Sequence, residues 1–164
     1  MLINDGVPTK EDLDKVFPSE ERMAKGPVSV IECFQKIPCN PCVNACPRGA
    51  ITMGEDINNV PVCDAEKCNG CGVCILKCPG LAIFVVDKSY SKDFAIVKVP
   101  FEYIPLPEKG QKACALDRKG EELGWFEVTQ VISGGKENLT HAIALKVPRE
   151  LAMEVRNIKV GGYK

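Results

Sequence analysis

The sequence has little of what marks several common classes of protein. It contains one histidine and one tryptophan, and aromatic residues make up only 6% of its 164 positions. Charge of neither sign dominates, because 21 Lys and Arg residues oppose 22 Asp and Glu residues. Such a balance gives no general attraction to nucleic acid or to an anionic membrane surface. We therefore expect neither of them as a partner.

Long apolar runs are also missing. No stretch reaches the roughly 20 apolar residues that a membrane-spanning helix requires, and residues 1–5 lack the basic and apolar regions of a secretory signal. We therefore expect no membrane span and a cytoplasmic location. No dinucleotide-binding glycine pattern is present either, since Gly134 and Gly135 lie in a predicted hairpin. We expect any flavin to belong to a partner chain.

What the sequence does have is ten cysteines, nine of them between Cys33 and Cys78. In a reducing compartment, metal binding explains such a group better than disulfides do. The run C-x2-C-x2-C-x3-C-P, from Cys68 to Pro79, matches the bacterial motif in which three thiolates bind one 4Fe-4S cluster and the fourth binds a second cluster. Structural zinc is the alternative, but two C-x2-C pairs would leave the remaining cysteines of the motif unused.

The motif occurs twice. An offset of 32 residues pairs Cys39 with Cys71, Cys42 with Cys74, Cys46 with Cys78, and Pro47 with Pro79. The same offset pairs Ala50-Ile51 with Ala82-Ile83, so the sequence predicts two copies of one supersecondary unit. A strict repeat would need a cysteine at position 36, which is Lys36, and Cys33 is the nearest substitute.

Because the fourth cysteine of each motif is expected to bind the cluster of the other motif, the sequence predicts two sets of four ligands. The first is Cys33, Cys39, Cys42 and Cys78, and the second is Cys68, Cys71, Cys74 and Cys46. If Cys33 is not a ligand, the first site has three thiolates, which favours a 3Fe-4S cluster or an iron open to another ligand.

Three further residues need an interpretation. Cys63, with Cys68 and Cys71, also fits the C-x4-C-x2-C spacing of plant-type 2Fe-2S proteins. That alternative leaves the rest of the repeat unexplained, so we interpret Cys63 as a small buried residue. Cys114 is expected to be a buried thiol in a strand. The single histidine, His141, excludes a Rieske centre with two histidine ligands, and we expect it to be structural.

The predicted fold class is α+β, in three parts. Residues 1–32 form a short helical arm with helix starts at Thr9 and Ser19, and residues 33–86 form the two-cluster domain. Residues 94–164 form a β-rich domain, which we expect to be a small antiparallel barrel or roll. Its predicted strands are 94–99, 112–116, 125–132 and 139–147, followed by a short helix around 150–156.

These motifs make residues 33–86 resemble bacterial two-cluster ferredoxins, and that resemblance implies a pseudo-twofold α+β sandwich. The whole chain is similar to the ferredoxin-like subunit of multi-subunit, flavin-dependent amino-acid dehydrogenases of the proline or hydroxyproline type. The stretches that suggest this are 26–33, 37–42 and 79–84, with weaker support from 105–110 and 115–118. The resemblance implies FAD-containing partner subunits in a hetero-oligomer.

The expected function is therefore the transfer of single electrons by two 4Fe-4S clusters between flavin-containing subunits. No residue has the setting of a catalytic acid, base or nucleophile, so we expect no activity from the chain alone. A free-standing ferredoxin-like carrier with an accessory β domain is the alternative. A regulatory role for the clusters lacks support, because the sequence shows neither a DNA-binding motif nor a basic patch.

Overall fold

The computed structural model describes residues 2–164, so Met1, the first residue of the predicted arm, lies outside them. The helices are short: α1 (Leu2–Asp5), α2 (Lys10–Asp14), α3 (Glu20–Lys25), α4 (Pro41–Ala45) and α5 (Val73–Lys77), with a 3-10 turn at Arg149–Leu151. The strands are β1 (Val28–Ile31), β2 (Ile51–Thr52), β3 (Val62–Cys63), β4 (Ile83–Asp87), β5 (Phe94–Phe101), β6 (Lys112–Leu116), β7 (Glu122–Ser133), β8 (His141–Pro148) and β9 (Asn157–Ile158).

Local chemistry sets the helix starts in the arm, as the sequence predicts. Thr9 and Asp12 form a reciprocal capping box at the start of α2, and the Ser19 side chain accepts a hydrogen bond from the amide of Arg22 at the start of α3. Gly26 ends α3 with a positive φ of 156°, and Pro27 leads into β1. The chain therefore enters the first strand in a fixed direction.

Seven strands form one antiparallel sheet in the order β1-β4-β5-β8-β7-β6-β9. This sheet is open, since β1 and β9 are its two edges and do not pair with each other. The expectation of a closed barrel was wrong, because the hairpin strands of the C-terminal part continue into β4 and β1 instead of returning on themselves. The sheet runs through all three predicted parts, and the division at 32 and 94 stays a prediction.

Each face of the sheet carries a hydrophobic core. One face carries the larger core, to which β5 contributes Val97 and Val99 and β8 contributes Ile143 and Leu145. The other face carries a second core with Ile31, Ile75, Ile83 and Val85, and this core surrounds the cysteine motifs. Strand β8 is accordingly buried on both sides, since Ala142 and Ala144 on its second face are no more than 1% exposed. The sheet is thus a platform under the cysteine-rich region.

The predicted repeat has a structural counterpart. Strand β1 pairs with β4 so that Ile31 faces Ile83, and β3 pairs with β2 so that Cys63 faces Ile51. Each of these pairs is related to the other by the 32-residue offset. The amides just beyond the strands repeat this pattern, since Glu32 donates to the carbonyl of Ala82 and Asp64 to that of Ala50. The two copies are therefore related by a pseudo-twofold arrangement of β1, α4 and β2 with β3, α5 and β4.

The structure differs from the prediction at the end of the chain. The short helix expected around 150–156 is only the 3-10 turn at Arg149–Leu151, and β9 follows it at the sheet edge. Among the helices of residues 2–164, none has the length and apolar character needed to cross a membrane.

Candidate iron-sulfur sites

Two recesses lie between the repeat and the sheet, and each is lined by one of the predicted sets of four cysteines. Site one is lined by Cys33, Cys39, Cys42 and Cys78, in an empty space of about 370 Å³ that includes some open solvent. Site two is lined by Cys46, Cys68, Cys71 and Cys74, in a comparable space of about 320 Å³. The structure thus brings together the members of each set and separates the two sets.

The crossing of the chain comes from the two short helices. Cys42 lies in α4, and the helix ends at Cys46, whose backbone is extended with φ −73° and ψ 109°. Cys74 lies in α5, which ends in the same way at Cys78 with φ −78° and ψ 111°. Because the chain turns out of the helix at these positions, Cys46 lines the site of the second motif and Cys78 lines the site of the first.

Backbone amides donate hydrogen bonds to the crossing sulfurs in matching positions. The amide of Ala50 lies 3.3 Å from Cys46 Sγ, and the amide of Ala82 lies 3.4 Å from Cys78 Sγ. Such donors stabilise sulfur that carries negative charge, as a cluster-bound thiolate does. The equivalence of Ala50 and Ala82 under the 32-residue offset extends the repeat from the fold to the chemistry of the sites.

Site two receives additional donors, and the sequence did not predict the one in β1, Ser29. The amides of Ser29 and Gly70 each lie 3.4 Å from Cys68 Sγ. The Ser29 hydroxyl lies 3.7 Å from Cys74 Sγ. Ser29 is 2% exposed, and it stands in a run of otherwise apolar strand residues, so nothing local marks it as part of the site.

Arg22 connects the N-terminal arm to the second motif. Its guanidinium donates to the carbonyl oxygen of Cys68 at 2.6 Å and to that of Ala65 at 2.7 Å. It also donates to the carbonyls of Gly26 and Pro27 at 3.0 and 3.3 Å. One side chain therefore holds the turn before β1 against the backbone of site two.

Burial opposes the ionisation of three of the site cysteines, Cys33, Cys42 and Cys74, by raising their pKa. Burial, together with the charges of Cys78 and Cys39, raises the pKa of Cys33. Burial also raises the pKa of Cys74 to about 11, although the hydrogen bond from Ser29 opposes it. Metal ligation requires the thiolate, so binding of iron would release protons from these residues.

Cys68 behaves in the opposite way. A hydrogen bond from Cys63 lowers the pKa of Cys68 to about 5, with burial opposing it and the amides of Gly70 and Ser29 adding to it. The same contact raises the pKa of Cys63. Cys63 is half-buried in β3 and outside the lining of both recesses, as Cys114 is, which lies buried in β6.

The donor set suits iron-sulfur clusters. Each recess offers four thiols, a mostly apolar wall and amide donors directed at sulfur, which are the features that hold and tune such clusters. All ten cysteines are free thiols. Over residues 2–164, no three His, Cys, Asp or Glu side chains form a group that could hold a single metal ion. The chemistry of the sites therefore fits two cubane clusters.

Comparison with known proteins agrees with this class of site. The family described as a 4Fe-4S dicluster domain matches residues 37–82. Residues 37–82 are thus similar to 4Fe-4S dicluster domains, and this similarity supports an iron-sulfur electron-transfer function for the segment. Cys33 precedes the matched segment, so its place as a ligand stays a prediction.

Three curated proteins are similar to the same region. The polyferredoxin-like subunit of an aliphatic sulfonate oxidoreductase from Pyrococcus furiosus is 44% identical over 54 residues, which cover 33% of this chain and 28% of that protein. A probable iron-sulfur protein of the Frd operon from Proteus vulgaris, named as a subunit, is 44% identical over 48 residues, 29% of each chain. An uncharacterized ferredoxin from Methanocaldococcus jannaschii is 36% identical over 76 residues, 45% of this chain and 46% of that protein.

The chain thus spans less than half the length of these curated relatives. No solved structure matches the chain.

Proposed function

We propose that this chain is an electron-transfer subunit that holds two 4Fe-4S clusters, one with Cys33, Cys39, Cys42 and Cys78 and one with Cys46, Cys68, Cys71 and Cys74. The observation that carries this proposal is that each recess is lined by one complete set of four cysteines drawn from both copies of the repeat. Each bound cluster would supply one-electron redox chemistry. The protein residues supply thiolate ligation, hydrogen bonds to sulfur and exclusion of water.

The partners in this proposal are FAD-containing subunits of an amino-acid dehydrogenase-type complex. A reduced flavin holds two electrons, and two adjacent one-electron sites would receive them singly. The sequence similarity of the whole chain to the ferredoxin-like subunit of such complexes supports this choice. The names of two relatives also describe subunits, one of them belonging to an oxidoreductase. The cytoplasmic location remains part of the proposal.

The test is anaerobic affinity purification from the native host. Iron, acid-labile sulfide, flavin and the co-purifying chains are measured on the same sample. About eight irons per chain, as two 4Fe-4S clusters require, together with stoichiometric flavoproteins would support the proposal. An iron content near zero would contradict the cluster assignment.

The second candidate is a free-standing ferredoxin-like carrier, which the name of the Methanocaldococcus jannaschii relative favours. About eight irons on a chain that purifies alone, without flavin, would select this carrier over the subunit. Electron transfer from the isolated chain to several unrelated reductases would strengthen that conclusion.

A further inference from the structure

The 32-residue offset allows the surroundings of the two sites to be compared position by position. One pair of hydrogen bonds to sulfur matches under this offset: the amide of Ala50 donates to Cys46 Sγ, and the amide of Ala82 donates to Cys78 Sγ. This pair favours the reduction of neither site over the other.

Ser29 has no such counterpart. The position related to it by the offset is Pro61, which lines site one as Ser29 lines site two. Proline has neither an amide hydrogen nor a hydroxyl group. Ser29 directs both of its donors at site two, since its amide lies 3.4 Å from Cys68 Sγ and its hydroxyl 3.7 Å from Cys74 Sγ. A thiolate sulfur carries no proton, so in the Cys74 contact the hydroxyl is the donor.

Other differences between the sites also place more positive charge beside site two than beside site one. Arg48 lines site two, and its equivalent at site one is Gly80, which has no side chain. Lys98 donates to the carbonyl of Gly70 at 3.1 Å, so a second cation lies beside the site-two motif.

Two arginines also lie near site one, but they add little net positive charge there. Arg118 and Arg156 are close to Cys33 in the fold, as they line the same groove. Both are ion-paired to Glu32 at 2.7 Å, and Arg118 also contacts Glu154 at 3.3 Å. The paired carboxylates offset most of the positive charge that these arginines would present to site one.

Reduction adds one electron to a site without removing anything, so the site becomes more negative by one charge. Hydrogen-bond donors and cations that face sulfur favour that change, which raises the reduction potential. We propose, resting on the function proposed above, that Ser29 gives the cluster of site two a higher reduction potential than the cluster of site one. The first electron that enters the pair of clusters then resides mainly on site two. We expect at least a tenfold preference of the first electron for site two, which corresponds to about 59 mV for a one-electron couple.

The test is an anaerobic titration of the holoprotein with dithionite, followed by electron paramagnetic resonance. Wild type should show two reduction steps. In Ser29→Ala, which removes the hydroxyl donor, the higher-potential step should move to lower potential while the other step stays in place. Ser29→Thr keeps a hydroxyl and should restore the wild-type step. Ser89→Ala, an exposed serine in the turn after β4, is the matched control and should change neither step.

A reciprocal variant keeps the test decisive if Ser29→Ala does not fold. Pro61→Ser introduces a hydroxyl and an amide hydrogen at site one, so the lower-potential step should move upward and the gap should narrow. The proposal is overturned if Ser29→Ala moves only the lower-potential step, or if neither variant moves any step. An iron content well below about eight per chain in wild type would instead contradict the proposed function, and the two failures are therefore distinguishable.

Discussion

In the first copy of the repeat, position 32 is a glutamate whose side chain is 7% exposed and ion-paired to Arg118 and Arg156. In the second copy, the equivalent position is Asp64, whose side chain is 45% exposed and whose ion pair is with Lys67, 3.4 Å away and three residues further on. The backbone amides of Glu32 and Asp64 donate to equivalent carbonyls, those of Ala82 and Ala50, but the side chains make different contacts. The Glu32 side chain pairs with residues of the C-terminal part, whereas the Asp64 side chain pairs within a local turn.

This comparison teaches that the two copies share their type of ligand and most of their backbone arrangement, with Cys33 displaced by three residues, whereas the surroundings of the two sites differ. Site one lies beside Glu32 and its two arginine partners, and its lining includes Pro61. Site two is held by Arg22 and receives the donors of Ser29. The same geometry of four cysteines therefore stands in two different electrostatic environments.

The largest expected effect is the loss or conversion of one cluster, and it tests which cysteines bind the same cluster. Cys33→Ala and Cys78→Ala should give the same residual spectrum, because both residues line site one. Cys46→Ala and Cys68→Ala should share a different residual spectrum from site two. Each variant should lose or convert only one cluster, so iron should fall from about eight to between four and seven per chain. Electron paramagnetic resonance and iron analysis provide the measurement.

A different grouping would break the comparison. If Cys78→Ala resembled Cys68→Ala, each motif would hold its own cluster without crossing. If Cys33→Ala left iron and spectrum unchanged, site one would have only three cysteine ligands.

The next effect concerns the buried acid. Glu32→Gln removes the carboxylate that two buried guanidinium groups share and leaves Arg118 only the exposed Glu154. Removing one partner of a buried pair typically costs about 3–5 kcal/mol. Asp64→Asn is the matched control in the second copy, and it should cost about 1 kcal/mol or less because that pair is exposed. Denaturant unfolding followed by circular dichroism measures both. Equal losses in the two variants would contradict the distinction between these positions.

The same carboxyl group predicts a dependence on pH. Burial raises the pKa of Glu32, but the hydrogen bond from Arg118 and the charges of both arginines lower it further, so the net pKa lies below 4.5. Its contribution to stability is therefore complete above that ordinary value and is lost as the pH falls through the lower folded pKa. The difference in unfolding free energy between wild type and Glu32→Gln should shrink below pH 4.5. A constant difference down to complete acid unfolding would contradict this origin.

A smaller effect is expected at Gly70. A Cβ at this position would lie 2.4 Å from Pro27 Cβ, and φ is +65°. Gly70→Ala should cost about 1–3 kcal/mol from overpacking, added to roughly 1 kcal/mol for the left-handed backbone. Gly54→Ala has a similar φ of +69° but open space around it, so it should show only the backbone cost. The denaturation midpoints of the two variants are compared under anaerobic conditions. Equal midpoints would mean that Pro27 can shift away from the added Cβ without loss of stability.

The smallest effect is expected at Cys63, the position equivalent to Ile31. Cys63→Ala should keep both clusters and the full iron content, because Cys63 lines neither recess. The loss of packing should cost about 1 kcal/mol. Iron analysis and the ultraviolet-visible spectrum measure this directly. A fall in iron would revive the C-x4-C-x2-C alternative for residues 63–71.

Features with a local origin could be predicted from the sequence. The capping box at Thr9, the N-cap at Ser19 and the repeat itself depend on residues that are close in the chain or occur at a constant offset. The iron-sulfur class followed from the same spacing, which the family match over residues 37–82 bears out. The grouping of individual cysteines into sites agrees with the lining of the recesses and still awaits the variants described above.

Features with a distant origin could not be predicted. The ion pairs of Glu32 join it to residues 86 and 124 positions away, and nothing near Glu32 indicates those partners. The barrel was wrong for the same reason, because the sheet continues through the pairing of β4 with β1, in which Ile83 faces Ile31 from 52 positions away. Ser29 was missed because its donors face a cysteine 39 residues away.

The crossed cysteines also set the order in which the sites become complete during synthesis. The ribosome adds residues from the N-terminus, so Cys33, Cys39 and Cys42 emerge early but wait for Cys78, the last ligand of the repeat. Site two is complete once Cys74 has emerged, only four residues earlier. A nascent chain that ends between Cys68 and Cys74 has cysteines from both motifs and no complete set of four. On this assignment, neither cluster can gain all of its ligands until the second motif has emerged.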